Sequence, residues 1–160
     1  SKNLYTVDDL ENTLHSMQDK IDALKKSASA KQARIKEVDA LLRMVDYYKS
    51  GKPAADKLKS IRFEKSRQKY KSEHDDELRT FYMAERKLKP YFKDGKLPIT
   101  AWRREREQLE QDCKDIQTEL SPLHADAKKL WAIHYNIYEV QHEQERQNTA
   151  MRQKKQEMER

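Results

Sequence analysis

Apolar residues recur along the first third of the chain at alternating steps of three and four. From Val7 to Val45 this spacing defines twelve positions, of which eleven are apolar and one is Lys31. A heptad pattern sustained over more than five heptads predicts a coiled-coil helix. The predicted seam consists of Val7, Leu10, Leu14, Met17, Ile21, Leu24, Ala28, Lys31, Ile35, Val38, Leu42 and Val45.

Local signals predict both ends of this first long helix. Thr6 followed at the third helical position by Asp9 resembles a capping box, in which the threonine side chain accepts a hydrogen bond from a backbone amide. At the other end, Gly51 suits a helix C-terminus and Pro53 cannot continue the hydrogen-bond ladder. We therefore expect the helix to cover residues 6–49 and to stop near Tyr48–Ser50.

A second seam with the same alternation runs through the last part of the chain. It follows the turn signal Asp94-Gly95, with Thr100 as the expected N-cap, and continues from Trp102 to Ile137. The pattern stays in phase across Pro122, which predicts a kink rather than an end. The last long helix is expected over residues 100–160, with a tail from about residue 143 that has no facing seam. The second seam consists of Trp102, Arg106, Leu109, Cys113, Ile116, Leu120, Leu123, Ala127, Leu130, His134 and Ile137.

The middle segment, residues 52–95, has a different pattern. Residues 54–59 are expected to form a short helix, and spacing around Leu78 and Phe81 predicts an amphipathic helix from Asp75 to Tyr91. A strand pair remains the alternative. We expect Phe63 to be buried with neighbouring apolar residues as part of a small core. The segment is thus predicted to be a helical cap.

Two seams of matching length separated by a folded middle predict an all-α fold, a long antiparallel coiled-coil helical hairpin with a small helical cap at the tip. The composition supports this class, because 36% apolar and 39% charged residues provide too little material for a large globular core. In this pairing Val45 lies beside Trp102, and Leu14 lies near Leu130 or His134. The whole chain, 1–160, is expected to be one elongated helical module.

Positive charge is concentrated in one segment. Residues 49–71 contain nine basic and two acidic side chains, so this segment carries +7, whereas the whole chain carries +6. Basic residues interleaved with aromatic ones can hold phosphates and stack on unpaired bases. The alternative is a solvated lysine-rich segment balanced by the acidic run from Glu73 to Glu77. The candidate nucleic-acid-binding residues are Lys49, Lys52, Lys57, Lys59, Arg62, Lys65, Arg67, Lys69 and Lys71.

The sequence contains no catalytic motif that we can identify, so we expect no enzymatic activity, no cofactor and no metal. It has no glycine-rich phosphate loop, no nucleophile elbow and no zinc-binding histidine pair. Tyr47 and Tyr48 are expected to be packing residues, and Cys113 a small buried one. His134 is expected to hydrogen-bond between helices. The ridge of Trp131, Tyr135 and Tyr138 indicates an apolar contact with a neighbouring helix.

The single cysteine favours a reducing compartment, and no apolar stretch reaches the length of a membrane span. We therefore expect a cytoplasmic protein with no membrane partner.

Three phrases occur in an order that resembles a known family. They are VDYYKSGKPAADKLKSIRFEKSRQKY, then EHDDELRTFYMAERKLKPYF, then DGKLPITAWRREREQLEQDCKDIQTEL. Together they resemble the C-terminal helical region of relaxases, the mobilisation proteins of conjugative and integrative elements of Gram-positive bacteria. The resemblance extends over roughly residues 5–140.

This resemblance implies a non-catalytic module of a relaxase, a DNA strand transferase whose metal-binding histidine cluster would lie N-terminal to the region. Its implied roles are assembly with protein partners, including type IV secretion or coupling components, and auxiliary DNA contact. Self-association is expected on a different ground, because the tail from about residue 143 has no facing helix in this chain. A scaffold coiled coil with no nucleic-acid role is the first alternative. A stand-alone DNA-binding protein of a bacterial element is the second.

Overall fold

Four α-helices account for most of the computed structural model, which describes residues 6–159. They are α1 (Val7–Ser60), α2 (Glu64–Glu73), α3 (Asp75–Leu88) and α4 (Ile99–Met158), with a 3-10 turn at Lys89–Tyr91 after α3. Over the described residues the only β-type pairing is an isolated bridge between Lys93 and Lys96. The predicted all-α class is therefore confirmed.

The predicted start of α1 is confirmed at atomic level. The backbone amide of Asp9 donates a hydrogen bond to the Thr6 hydroxyl over 3.0 Å, and the amide of Leu10 donates to the Thr6 carbonyl over 3.1 Å. Asp8 and Asp9 also place negative charge in the first turn, where the helix dipole is positive.

The predicted end of α1 near Tyr48–Ser50 is wrong, because the helix continues through Gly51 and Pro53 to Ser60. Gly51 is buried, and it lets α1 approach α3 rather than ending the helix. A Cβ on this residue would lie 2.6 Å from the Cβ of Phe81. The short helix expected over 54–59 therefore forms the last turns of α1.

Packing of these last turns compensates for the internal proline. Ala54, Ala55 and Leu58 form a buried cluster with Leu78 and Phe81 of α3. A proline inside a helix costs about 3 kcal/mol, and fully burying a leucine or phenylalanine side chain contributes about 1.5–3 kcal/mol. Three such large side chains outweigh the proline, so contacts with α3 override the local stop signal.

The helix expected from Asp75 to Tyr91 is present as α3 and the 3-10 turn, and the strand-pair alternative is wrong. The Asp94-Gly95 turn is also present, with both residues at positive φ (52° and 74°), as a tight hairpin turn requires. By contrast, α4 begins at Ile99, so Thr100 lies inside the first turn and is not the N-cap.

The described residues divide into two compact units, and α1 and α4 contribute to both. The first unit contains the residues up to Ala28 and those from Lys114 onward; the second contains Ser29–Cys113. The core of the first unit consists of Ile21, Ile116, Leu120 and Ala127, with Met17, Leu24, Ala28 and Leu123 packed against it.

The second unit has two cores. One is the α1–α3 cluster around Leu58 and Phe81. The other contains Val38, Val45, Leu88 and Trp102, so the expected proximity of Val45 and Trp102 is present. Tyr48 packs against both, with its ring 5.0 Å from Phe81 and 5.7 Å from Phe92 between centroids.

The heptad pattern correctly identified the covered face of each long helix. None of the twelve seam positions of α1 is exposed, and the same holds for the seam of α4 from Trp102 to Ile137. Helix α4 is continuous across Pro122. Beyond this seam, every residue from Glu143 to Glu159 is exposed.

Candidate nucleic-acid interface

The nine basic residues selected from the sequence lie on three consecutive pieces of the second unit. The last three turns of α1 present four of them, the three-residue linker presents one, and α2 presents the other four. Eight are exposed and Arg67 is half-buried. In chain order they are Lys49, Lys52, Lys57 and Lys59, then Arg62, then Lys65, Arg67, Lys69 and Lys71.

The helical geometry of α1 explains why these side chains face solvent. Gly51, Ala54, Ala55 and Leu58 occupy the buried face of its last turns. At 100° per residue, Lys49 falls opposite that face, and the other three lysines fall on its flanks. In α2 no residue is buried, and every side chain except that of Tyr70 is polar or charged.

None of these nine cations forms an ion pair with a carboxylate in the described part of the chain. Two of the acidic residues nearby have other partners. Glu64 accepts a hydrogen bond from Gln68 over 2.9 Å, and Asp75 pairs with Arg79 over 2.5 Å. The acidic run from Glu73 to Glu77 therefore does not neutralise the basic segment by direct contact.

Two of the lysines lie over aromatic rings. The Lys52 ammonium is 5.5 Å from the centroid of Tyr48, and the Lys57 ammonium is 5.4 Å from that of Tyr70. Cation–π contacts at exposed sites contribute about 0.5–1 kcal/mol, and they leave the charge available to an anion from the solvent side. The rings thus hold two charges in place without neutralising them.

Phe63 is not buried, which overturns the expectation that it forms a small core with Leu58 and Ile61. Its side chain is 77% exposed, whereas Leu58 is 3% exposed. Phe63 is the N-cap residue of α2 and has an extended backbone, with φ −87° and ψ 131°. Because the helical period is interrupted after Ser60, Phe63 does not continue the buried face of α1. Arg62 precedes it directly, and Lys65 follows after Glu64.

Tyr70 behaves differently. It is half-buried and packs against the α1–α3 cluster, and its ring lies 4.2 Å from that of His74. Of the two aromatic residues Phe63 and Tyr70 within the basic segment, only Phe63 therefore presents an open ring face. The sequence offered no periodic signal to separate them, since neither lies on a long amphipathic helix.

Elsewhere in the second unit, charged groups are paired between α1 and α4. The Arg34 guanidinium donates to both carboxylate oxygens of Glu105, over 2.6 and 3.2 Å, and also to Glu37 over 3.1 Å. Arg106 pairs with Asp39 and, over 2.7 Å, with Glu110. The basic segment differs from this pattern, because its cations have no such partners among residues 6–159.

These pairs perturb the titration of their members. The hydrogen bond from Arg34 lowers the pKa of Glu105 from its ordinary value of 4.5, and hydrogen bonds from Arg34 to Glu105 and Glu37 raise the pKa of the guanidinium. The main cause that raises the pKa of Arg106 is its hydrogen bond to Asp39. All are stabilised in their charged forms, as expected of partners in a structural ion pair.

The remaining residues considered for chemistry are two tyrosines, one cysteine and one histidine. Tyr48 is a packing residue, whereas Tyr47 is 38% exposed. Cys113 is half-buried and free, less covered than expected. His134 lies 3.1 Å from Glu11 through its Nε2 atom, the expected hydrogen bond between helices.

Among residues 6–159, no three histidine, cysteine or acidic side chains are grouped closely enough to hold a metal ion. No helix in that range combines the length and apolarity needed to cross a membrane. Comparison with models of protein families, with curated proteins and with solved structures finds no match.

Proposed function

We propose that this chain is a non-catalytic helical module of a bacterial mobilisation protein of the relaxase type, and that residues 49–71 contact nucleic acid. The observation that carries the proposal is the set of nine basic side chains in one continuous segment of the second unit, eight of them exposed and none paired with a carboxylate of the described residues. Unpaired cations can neutralise phosphates and release condensed counterions, which is the main source of non-specific affinity for nucleic acid.

Phe63 adds a second property to this surface. A phenylalanine that is 77% exposed within the basic segment exposes apolar area to water with no intramolecular gain. Stacking of an unpaired base on such a ring is worth about 1–3 kcal/mol. The surface therefore suits single-stranded nucleic acid better than duplex.

We further propose that the segments of α1 and α4 pair as an antiparallel coiled coil in each unit. In the first unit, Glu11 pairs with His134 and Lys20 with Glu119, so the later residue of α1 contacts the earlier residue of α4. In the second unit, Lys31 pairs with Asp112 over 3.7 Å, whereas the later residue Asp39 pairs with the earlier residue Arg106. The unexposed heptad positions supply the matching seam.

The link to mobilisation proteins is based on the resemblance of the three quoted phrases and on this succession of helices. In that setting the module would act in the cytoplasm, in assembly with secretion or coupling proteins, with auxiliary DNA contact as its second role. A scaffold coiled coil without a nucleic-acid role is the competing function, since paired seams and mixed surface charge suit either.

A binding titration against salt tests the proposal. We expect the chain to bind single-stranded DNA at about 50 mM salt and to lose affinity steeply as salt rises. Replacing Lys57, Lys59, Lys65 and Lys69 together by glutamine should weaken binding to all sequences alike. For each phosphate that the variant no longer neutralises, the logarithmic salt slope should fall by about 0.7 on single strands and about 0.9 on duplex.

The chain offers a matched control in the first unit. Lys25, Lys26, Lys128 and Lys129 are also exposed and make no ion pair in the described residues, so their replacement by glutamine removes the same charge elsewhere. We expect this variant to retain most of the affinity. Equal losses in both variants would indicate attraction by net charge alone. Absence of binding at low salt would exclude nucleic acid and favour the scaffold function.

A further inference from the structure

Helix α4 exposes large apolar side chains on two faces after residue 130. One face has Trp131, Tyr135 and Tyr138, which are 50–62% exposed. The other has Ile133, Val140, Met151 and Met158, and their exposed fractions rise along the helix from 47% to 59%, 69% and 87%. The second face extends into the segment after Glu143, in which every described side chain is exposed.

This second face has heptad spacing of its own. Steps of four and three from Ile133 to Met158 define eight positions, of which five are apolar. At about 1.5 Å per residue they extend along about 38 Å of helix. The pattern is that of a coiled-coil seam that has no covering helix along its second half. We call it the α4 stripe, and it consists of Ile133, Ile137, Val140, Gln144, Gln147, Met151, Lys154 and Met158.

Charge along the stripe is divided into two blocks. Residues 138–145 contain three glutamates and no lysine or arginine, whereas residues 146–155 contain four basic residues and no acidic one. Two copies of this segment placed in parallel would set like charges side by side. Placed in antiparallel orientation, the acidic block of each copy lies along the basic block of the other, so the charges attract.

An antiparallel register also matches the side chains of the stripe. If Gln144 faces Gln147 of the second copy, Val140 faces its Met151 and Ile133 faces its Met158. Each apolar pair then joins one heptad position of the seam to the other, as in antiparallel coiled coils, the two amide pairs meet at the centre, and Ile137 faces Lys154. Amide side chains within a seam specify register, because other registers leave them without a hydrogen-bond partner.

The start of α1 adds to the complementarity within the first unit. Asp8, Asp9 and Glu11 are exposed there, and Glu11 contacts His134, one residue after the start of the stripe. In the register above, Lys154 and Lys155 of the second copy lie near residues 136 and 137. Their ammonium groups would then lie beside an acidic surface, which attracts them, and not beside a basic one.

We propose that a second copy of this chain docks along the α4 stripe in antiparallel orientation, centred between Gln144 and Gln147. This pairing buries Val140, Met151 and Met158 and places the opposite charge blocks together. It is independent of nucleic-acid contact, which involves residues of the second unit. The aromatic face of Trp131, Tyr135 and Tyr138 lies on the other side of the helix and stays outside the contact.

Analytical ultracentrifugation of the full chain tests the pairing. We expect a concentration-dependent dimer, and a chain ending at His142 that stays monomeric. Met151→Glu introduces one charge per copy into the seam, and therefore two per dimer. If each charge weakens dimerisation about tenfold, the dissociation constant rises about a hundredfold. Tyr135→Glu is the matched control, since Tyr135 is 62% exposed on the other face. Its dissociation constant should change by no more than about twofold.

Spin-label distances test the orientation. In a Cys113→Ser background, labels at Glu159→Cys should be about 40 Å apart, because the two sites are offset by 27 residues in this register. Labels at Glu145→Cys should be close together. A parallel dimer brings both label pairs to within about 20 Å, given helix spacings of 8–10 Å. That result, a monomer at all concentrations, or a dimer of the chain ending at His142 would each overturn the proposal.

Discussion

Gly51 of α1 and Phe81 of α3 approach so closely that a methyl group on the glycine would lie 2.6 Å from the Cβ of the phenylalanine. The same methyl group would lie 3.2 Å from the carbonyl oxygen of Glu77. Neither neighbour is the far end of a flexible side chain, so a larger residue forces the two helices apart. The α1–α3 contact, which supports the basic segment, therefore depends on this glycine.

Gly51→Ala should destabilise the protein even though alanine is the better helix former by about 1 kcal/mol. Overpacking costs about 1–3 kcal/mol, and here it acts on backbone and Cβ atoms. Urea unfolding measures the change. Ser50→Ala, at the exposed neighbouring position of the same helix, is the control and should be neutral or slightly stabilising. A stabilised Gly51→Ala variant would mean that α1 and α3 can separate without loss of stability.

Lys31 is the polar residue in the seam of α1, where it pairs with Asp112 over 3.7 Å, and the two side chains are 31% and 32% exposed. Lys31→Leu should raise the free energy of unfolding by about 1 kcal/mol. Burial of a leucine contributes about 1.5–3 kcal/mol when complete, whereas a partly exposed ion pair contributes about 0–1 kcal/mol. The measurement is the midpoint of urea unfolding.

Lys20 provides the comparison, since it pairs with Glu119 over the same 3.7 Å but is 59% exposed. Lys20→Leu should give no stabilisation, because the new side chain stays in water. If Lys31→Leu is the less stable of the two, the Lys31–Asp112 pair outweighs apolar burial at that position.

Glu105 should make stability depend on pH in the acid range. Its pKa is lowered from 4.5 by the hydrogen bond from Arg34, so the folded protein binds this proton less readily than the unfolded chain. The stabilisation is complete above about pH 4.5 and is lost as the pH falls through the lower, folded pKa. Because both groups are more than a third exposed, we expect at most about 1 kcal/mol.

Glu105→Gln should be less stable than the unsubstituted chain at neutral pH, by at most about 1 kcal/mol. Below pH 4.5 the difference in stability should be smaller. Glu107→Gln is the control, because Glu107 is exposed and makes no ion pair in the described residues. A difference that grows on acidification would contradict the assignment. Low ionic strength is needed, since salt screens exposed pairs.

Phe63→Leu should reduce affinity for single-stranded DNA and leave duplex affinity nearly unchanged. Leucine keeps an apolar side chain but removes the ring face, and stacking is worth about 1–3 kcal/mol per base, a loss of roughly five- to 150-fold. Because Phe63 is 77% exposed, the fold should not be affected. Fluorescence anisotropy with both DNA forms measures the effect, and circular dichroism checks the fold.

Tyr70→Leu gives the opposite behaviour, since Tyr70 packs against the α1–α3 cluster. It should lower stability and leave the ratio of single-strand to duplex affinity unchanged. An equal loss on both DNA forms for Phe63→Leu would leave charge as the basis of binding and remove stacking from the account.

Heptad spacing alone identified the covered face of both long helices, down to the polar members Lys31, Arg106 and His134. This success has a physical reason, because a helix pair buries one stripe of each member and the period of that stripe is visible in a single sequence. The Thr6 cap and the Asp94-Gly95 turn were equally predictable, since their signals are local.

Contacts between segments distant in sequence were not predictable in this way. Gly51 and Pro53 have the local signature of a helix end, and only the position of Phe81, thirty residues later, explains why the helix continues. Helix α2 escaped detection because none of its residues is buried, so it has no apolar period. Its start could have been suggested by Glu64 and Gln68, which are spaced to hydrogen-bond within a helix.

The lack of buried residues in α2 has a consequence for how the segment responds to anions. Isolated helices of ten residues are marginal in water, and two like-charged pairs at i,i+4, Lys65–Lys69 and Arg67–Lys71, repel each other along this one. Its helical state therefore depends on Tyr70 and on the ionic surroundings. A polyanion that neutralises the repulsion would therefore stabilise the helical state of this segment. Amide hydrogen exchange in residues 64–73 should accordingly be fast in the free chain and slow when a polyanion is present. The exchange rate of α2 would then report whether a polyanion is bound.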